Sequence, residues 1–200
     1  MTRLLVATTN PGKLHEIAGI LLGAPIELLT LRDVAGIDEP VETGATFAEN
    51  ARLKALYYER ATGIATVADD SGLEIAALDN APGVHSARWH GSDYAVKFTK
   101  IREWLAARGL DGSAARFVCA IALARGGAIV YEAEGIVNGV LAPEPRGTNG
   151  FGYDPIFFYP PLGHTLAELD SIEKSGVSHR GQAFSRLREH LLAYPDLLSR

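Results

Sequence analysis

The chain has 200 residues, 47% of them hydrophobic and 22% charged, a composition that suits a soluble globular fold burying roughly 70% of its unfolded surface. Nineteen Lys and Arg against 24 Asp and Glu leave a net charge of −5, which argues against a broad grip on polymeric nucleic acid but not against a small phosphorylated ligand. One cysteine makes no intrachain disulfide and no Cys/His spacing suits zinc. The opening Leu4-Leu5-Val6-Ala7 run is too short for a signal peptide or a membrane span, so a cytoplasmic protein without a membrane partner is expected.

Leu4 to Thr8 read as a buried strand entering the tight turn Asn10-Pro11-Gly12. Leu14, Ile17, Ala18 and Leu21 then recur at helical spacing, with Lys13, His15 and Glu16 near the helix start and Gly23 at its end. Ile26 to Leu31 predicts a second strand, and the acidic stretch Asp33 to Glu42 an exposed loop. Thr46 and Glu49 have the spacing of a capping box, which starts a helix running to Arg60. Ile64 to Ala68 predicts a strand that ends abruptly at Asp69-Asp70-Ser71-Gly72, with Leu73 to Ala76 as a candidate continuation.

After the Ala81-Pro82-Gly83 turn, Tyr94, Phe98, Ile101 and Leu105 mark a third helix. Phe117 to Ala124 is apolar at nearly every position, as in a central strand covered on both faces. Gly126-Gly127 closes a hairpin to a strand over Ala128 to Glu134. Pro143 to Gly152 holds too many breakers for a regular element, and Phe184, Leu187 and Leu191 mark a last helix. Together these predict an α/β fold: a mixed sheet flanked by helices, one continuous domain over 1–200, with two lobes and a groove between them as the natural ligand site.

Four clusters carry candidate chemistry. Thr8, Thr9, Asn10, Pro11, Gly12 and Lys13 join strand to helix and gather N–H groups, a hydroxyl, an amide and an ammonium, as a phosphate chain requires, although no P-loop is present. An ordinary strand-to-helix turn is the plainer alternative. In Asp69-Asp70-Ser71-Gly72, neighbours on an extended strand point to opposite faces, so one aspartate is expected to bind a hard cation while the other bonds backbone or a basic partner. A polar strand end is the alternative there, and Glu42 could add a carboxylate. Phe151, Gly152, Tyr153 and Asp154 offer stacking faces and an acceptor for a flat base, or else a core aromatic pair at a turn. Glu173 to Arg180 concentrates Lys174, His179 and Arg180 just before the last helix, for phosphate or a base carbonyl, or as a solvated helix start. The remaining histidines are scattered, and Cys119 lies in the most apolar strand, where a core thiol is expected.

The strings ATTNPGK, ETGATFAENA, ADDSGLEI, APGVHSAR, FGYDPIF and EKSGVSHRGQA resemble, in order and across most of the chain, the inosine triphosphate pyrophosphatase family of house-cleaning enzymes. The resemblance implies magnesium-dependent hydrolysis of ITP, dITP and XTP to monophosphate and pyrophosphate, a long mixed sheet with two lobes around a nucleotide cleft, and a homodimer. It places the triphosphate on Thr8, Asn10 and Lys13, makes Asp70 proton acceptor and metal ligand with Glu42 assisting, and sets Ser71 against substrate. Phe151, Gly152, Tyr153 and Asp154 correspond to its base-binding segment, and Lys174, His179 and Arg180 to the residues that complete the site and read the 6-oxo edge. Two rival expectations are a phosphohydrolase with another bond or base preference and a non-catalytic nucleotide sensor.

Overall fold

The computed structural model describes residues 2–34 and 36–198, so Ala35 of the expected 33–42 loop lies outside the described residues. Strands β1 (Thr2–Val6), β2 (Ile26–Thr30), β3 (Thr66–Ile75), β4 (Ala114–Arg125), β5 (Ala128–Leu141), β6 (Phe157–Tyr159) and β7 (His164–Thr165) form one sheet in the order β2-β1-β3-β4-β5-β6-β7. β1 pairs parallel with β2 and β3, whereas β6 pairs antiparallel with β5 and β7, so the expected mixed sheet is present. The helices are α1 (Pro11–Ile20), α2 (Phe47–Thr62), α3 (Tyr94–Ala106), α4 (Ser171–Val177) and α5 (His179–Ala193). No described helix is long and apolar enough to cross a membrane.

By its contacts the chain divides into two compact units, the first being Met1–Asp70, Cys119–Gly135 and His179–Arg200, the second Ser71–Val118 and Ile136–Ser178. In the first, α1 and α5 lay Ile17, Leu21, Phe184, Leu187 and Leu191 onto Leu4, Val6, Val67, Ile121 and Leu123 of the sheet. Each such side chain contributes about 1.5–3 kcal/mol when fully buried. Leu5, between Leu4 and Val6, is also fully buried, which is why β1 reads as a continuous apolar run. The second unit closes on Leu73, Ile75, Ile101, Leu105, Phe117, Tyr153, Phe157 and Leu166.

Local signals account for most boundaries. The Thr46 side chain accepts from the Glu49 N–H at 3.2 Å and the Glu49 carboxylate accepts from the Thr46 N–H at 3.2 Å, so α2 begins at the predicted box. It continues past Arg60 until Gly63, which ends it in the left-handed region (φ 67°). Gly126 and Gly127, with φ of 59° and 78°, make the tight turn between β4 and β5, as a two-residue hairpin requires.

Four elements differ from expectation. β1 ends at Val6 because Thr8 already serves the following turn, its hydroxyl accepting from the Asn10 N–H. β3 is not interrupted at Asp69-Asp70-Ser71-Gly72 but runs through it, since both aspartates find cationic or amide partners that offset their poor strand propensity. β5 extends beyond Glu134 to Leu141 even though it contains Gly135 and Gly139. Both are points of close approach: a Cβ at Gly135 would collide with the His179 carbonyl, and one at Gly139 with the Phe158 carbonyl. Finally, Glu173 to Arg180 does not stand just before the last helix but spans the end of one helix and the start of the next. Asp170 and Glu173 form a second capping box that starts α4, and α5 opens at His179.

Candidate active site

In the first unit, the turn from β1 to α1 is organised by Asn10. Its side-chain oxygen accepts from the N–H groups of Gly12 (2.9 Å) and Lys13 (3.1 Å), capping α1. Two N–H groups expected to meet phosphate are thus engaged by the chain itself, while the Thr9 hydroxyl donates to Glu39 at 2.7 Å. Lys13 leaves the helix start to pair with Asp69, Nζ to Oδ2 2.9 Å.

The opposite faces of β3 separate the two aspartates, as strand geometry demands. Asp69 is buried and also meets the Arg180 guanidinium at 3.5 Å, which is itself held by Glu16 at 2.7 Å. Burial by itself would raise the Asp69 carboxyl, but Lys13, Arg180 and Lys54 outweigh it and hold the carboxyl well below the usual range. Asp69 is therefore a fixed anion that ties α1 to α5. Removing it leaves the buried guanidinium and Lys13 short of a shared counter-charge. Asp69→Ala is expected to lower the unfolding free energy by about 3–5 kcal/mol in urea denaturation; a loss under about 1 kcal/mol would mean that Glu16 alone compensates Arg180.

Asp70 faces α2. Its Oδ2 accepts from the Asn50 amide at 3.0 Å and its Oδ1 lies 3.5 Å from Lys54 Nζ, which also pairs with Glu42 at 2.8 Å. Burial pushes the Asp70 carboxyl up; Lys54 pulls it down, and Glu42 again raises it, so the net direction is upward. The Asn50 oxygen accepts from the Gly44 N–H at 2.8 Å, and a Cβ at Gly44 would sit 2.6 Å from that oxygen. Glycine after Glu42-Thr43 lets this amide fasten the acidic loop beside Asp70. Two carboxylates already share one cationic centre here, the Lys54 ammonium. Among the described residues no cluster of three or more His, Cys, Asp or Glu offers a complete metal cage. The pair suits magnesium, which typically takes one or two carboxylates and completes its shell with phosphate oxygens and water.

In the second unit, Asp154 accepts from the Phe151 N–H at 2.8 Å and pairs with Lys174 of α4 at 2.6 Å, both side chains nearly buried. Lys174 Nζ lies 4.9 Å from the centre of the Phe151 ring. Gly150 and Gly152 have φ of 71° and 69°, and a Cβ at Gly150 would collide with the Asp154 carboxylate. Phe151 is thus held as a platform edged by a cation. Tyr153 is a core residue whose hydroxyl donates to the Ser86 carbonyl at 3.1 Å, and Ser71 is half-buried on β3. Lys174 pairs with Asp154 in the second unit, and the buried His179 and Arg180 open α5 in the first.

A family model described as the Ham1 family matches residues 4–190. The chain belongs to the Ham1 family. A Ham1 relative named dITP/XTP pyrophosphatase from Geobacter sulfurreducens is 47% identical over 193 residues, covering 96% of this chain and 97% of its own length. Another of that name, from Syntrophobacter fumaroxidans, is 48% identical over 92% of this chain and 80% of its own. The solved structure of a HAM1 protein from Coxiella burnetii aligns with a TM-score of 0.88 at 41% identity, over 96% of this chain and 100% of that one. These findings bear out the resemblance drawn from the six motifs, and with it the mixed α/β fold.

Asn50 and Lys54 are the site residues of this Ham1-family chain that motif reading passed over. Their signal was present: on a helix from Thr46, residues 50 and 54 stand one turn apart on a face that also carries buried Phe47 and Ala51. A polar pair on a buried face needs partners, and Asp70 and Glu42 are those partners.

Proposed function

We propose that this Ham1-family chain hydrolyses deaminated purine nucleoside triphosphates, ITP, dITP and XTP, to the monophosphate and pyrophosphate, keeping them out of DNA and RNA. The observation that carries this reading is the division of labour between adjacent aspartates: Asp69 is locked between two cations, whereas Asp70 has a raised proton affinity and shares a cationic centre with Glu42. A carboxyl so placed can accept the proton of an attacking water. Glu42 and Asp70 are assigned to hold magnesium, which when bound would neutralise phosphoryl oxygens and make water a better nucleophile.

Thr8, Thr9, Asn10, Pro11, Gly12 and Lys13 are assigned the triphosphate, with Ser71 touching substrate. Lys13 can serve the leaving pyrophosphate by exchanging part of its pairing with Asp69 for phosphate oxygens. Phe151, Gly152, Tyr153 and Asp154 are assigned the base, with Lys174, His179 and Arg180 offering donors to its carbonyl edge. We assign the whole of 1–200 to one pyrophosphatase domain, working as a cytoplasmic homodimer on free nucleotides and not on polymeric nucleic acid.

Product analysis with ITP and magnesium tests this. Inosine monophosphate with pyrophosphate, abolished by a chelator and restored by magnesium, is the expected result. Diphosphate with orthophosphate would identify a different phosphohydrolase, and binding without turnover a nucleotide sensor.

A further inference from the structure

Lys97 is one of the largest fully buried side chains of the second unit, and among the described residues no carboxylate pairs with it. Its ammonium donates to the carbonyls of Ser86 (2.9 Å) and Ala87 (2.7 Å) and stands 4.2 Å from the centre of the Tyr94 ring and 5.6 Å from that of Tyr153. A buried ammonium balanced only by carbonyl dipoles and ring faces is an expensive way to fill a core. Burial accordingly lowers its pKa. Such a group is better explained by what it holds in place.

The contacts of Lys97 converge on three motif segments. Ser86 Oγ donates to the Gly83 carbonyl at 2.6 Å and accepts from the Leu73 N–H at 2.9 Å, joining the APGVHSAR segment to the strand that carries the aspartates. A Cβ at Gly72 would collide with that hydroxyl, so the approach is close. The Tyr153 hydroxyl donates to the same Ser86 carbonyl that Lys97 binds. Tyr94 and Tyr153 meet edge to face at 5.1 Å, and Gly152 lies against the Tyr94 hydroxyl, its absent Cβ 3.4 Å away. The ammonium therefore ties the Ser86-Ala87 backbone and both tyrosines into one block from which Phe151 and Gly152 project.

We propose that Lys97 is a positioning residue for the base: by fastening Ser86 and Ala87 to the Tyr94 and Tyr153 rings it sets where Phe151 and Gly152 stand. The inference rests on the assignment of Phe151 to Asp154 to the base. It deepens that assignment by adding a residue that touches neither substrate nor metal. The phosphate end of the nucleotide is assigned to residues of the other unit, and Lys97 has no part in that assignment.

The test separates the two ends of the ligand. In Lys97→Met, inhibition by inosine monophosphate is expected to weaken about tenfold while inhibition by inorganic tripolyphosphate stays within about twofold of the parent enzyme. Equal weakening of both, or no change in either, would reduce Lys97 to a core residue and overturn the proposal. If Lys97→Met does not unfold cooperatively, Tyr94→Leu, which removes the ring nearest the ammonium and is not itself assigned to substrate, is measured in the same way. There a loss of about threefold confined to inosine monophosphate supports the proposal, and equal effects on both inhibitors overturn it. Failure of the parent enzyme to cleave ITP would instead overturn the functional reading and this inference with it.

Discussion

Asp70→Asn is expected to lower pyrophosphate release from ITP by about 10²-fold or more while nucleotide still binds. The substitution keeps the shape of the side chain and one oxygen for Asn50 or Lys54, so the strand and α2 remain in register. It removes the group that can take a proton, and one of the two negative charges that surround the Lys54 ammonium. Steady-state pyrophosphate release, with ITP affinity measured separately by calorimetry, distinguishes the two effects. Near-normal turnover would remove Asp70 from the role of base and shift attention to Glu42, the other carboxylate on Lys54.

Base selectivity is the second large effect. Kcat/KM for ITP is expected to exceed that for ATP by about 10⁴, because buried donors aimed at a 6-oxo group are left unpaired against an amino group. In the proposed assignment Phe151 would supply a face common to all purines and contribute little discrimination by itself. The charge beside it is more selective: Lys174, fixed by Asp154 at 2.6 Å, has donors and no acceptor. ITP and XTP are also expected to exceed GTP. Parallel assays of the four nucleotides measure this, and comparable values for all would refute the assignment of the oxo edge to these residues.

The arrangement also accounts for an acidic protein handling a polyanion. With a net charge of −5, the basic groups near the two sets of site residues are individually balanced: Lys13 by Asp69, Arg180 by Glu16 and Asp69, Lys174 by Asp154, Lys54 by Glu42 and Asp70. In the proposed reading, binding a triphosphate would mean exchanging partners within prepaired groups, which favours a ligand that matches them.

How much was legible in the sequence follows from the range of the forces involved. Caps, turns and stripes are set by neighbours within a few residues, so the Thr46 box, the Gly126-Gly127 turn and the α3 stripe read correctly along the chain, while of the expected α1 stripe Ile17 and Leu21 are buried and Ala18 is exposed. The family was legible in the same way, because its motif strings are contiguous stretches of chain. β3 failed that reading at Asp69, where local propensity says stop. Only the arrival of Lys13, Arg180, Asn50 and Lys54 from three helices makes two adjacent carboxylates tenable in a continuous strand. β5 passed Gly135 and Gly139 for the same kind of reason, as another backbone needed the space.

By itself, then, the sequence determined the mixed α/β class, the starts of α1, α2 and α3 and the family, since these depend on residue identity and short spacing. Tertiary structure alone decided which aspartate is a fixed anion and which remains available, that Lys54 joins Glu42 to Asp70, and that Lys97 lies beneath the aromatic block. Those outcomes turn on burial and on charges brought together from up to 164 residues apart, and neither quantity is written in any local stretch of chain.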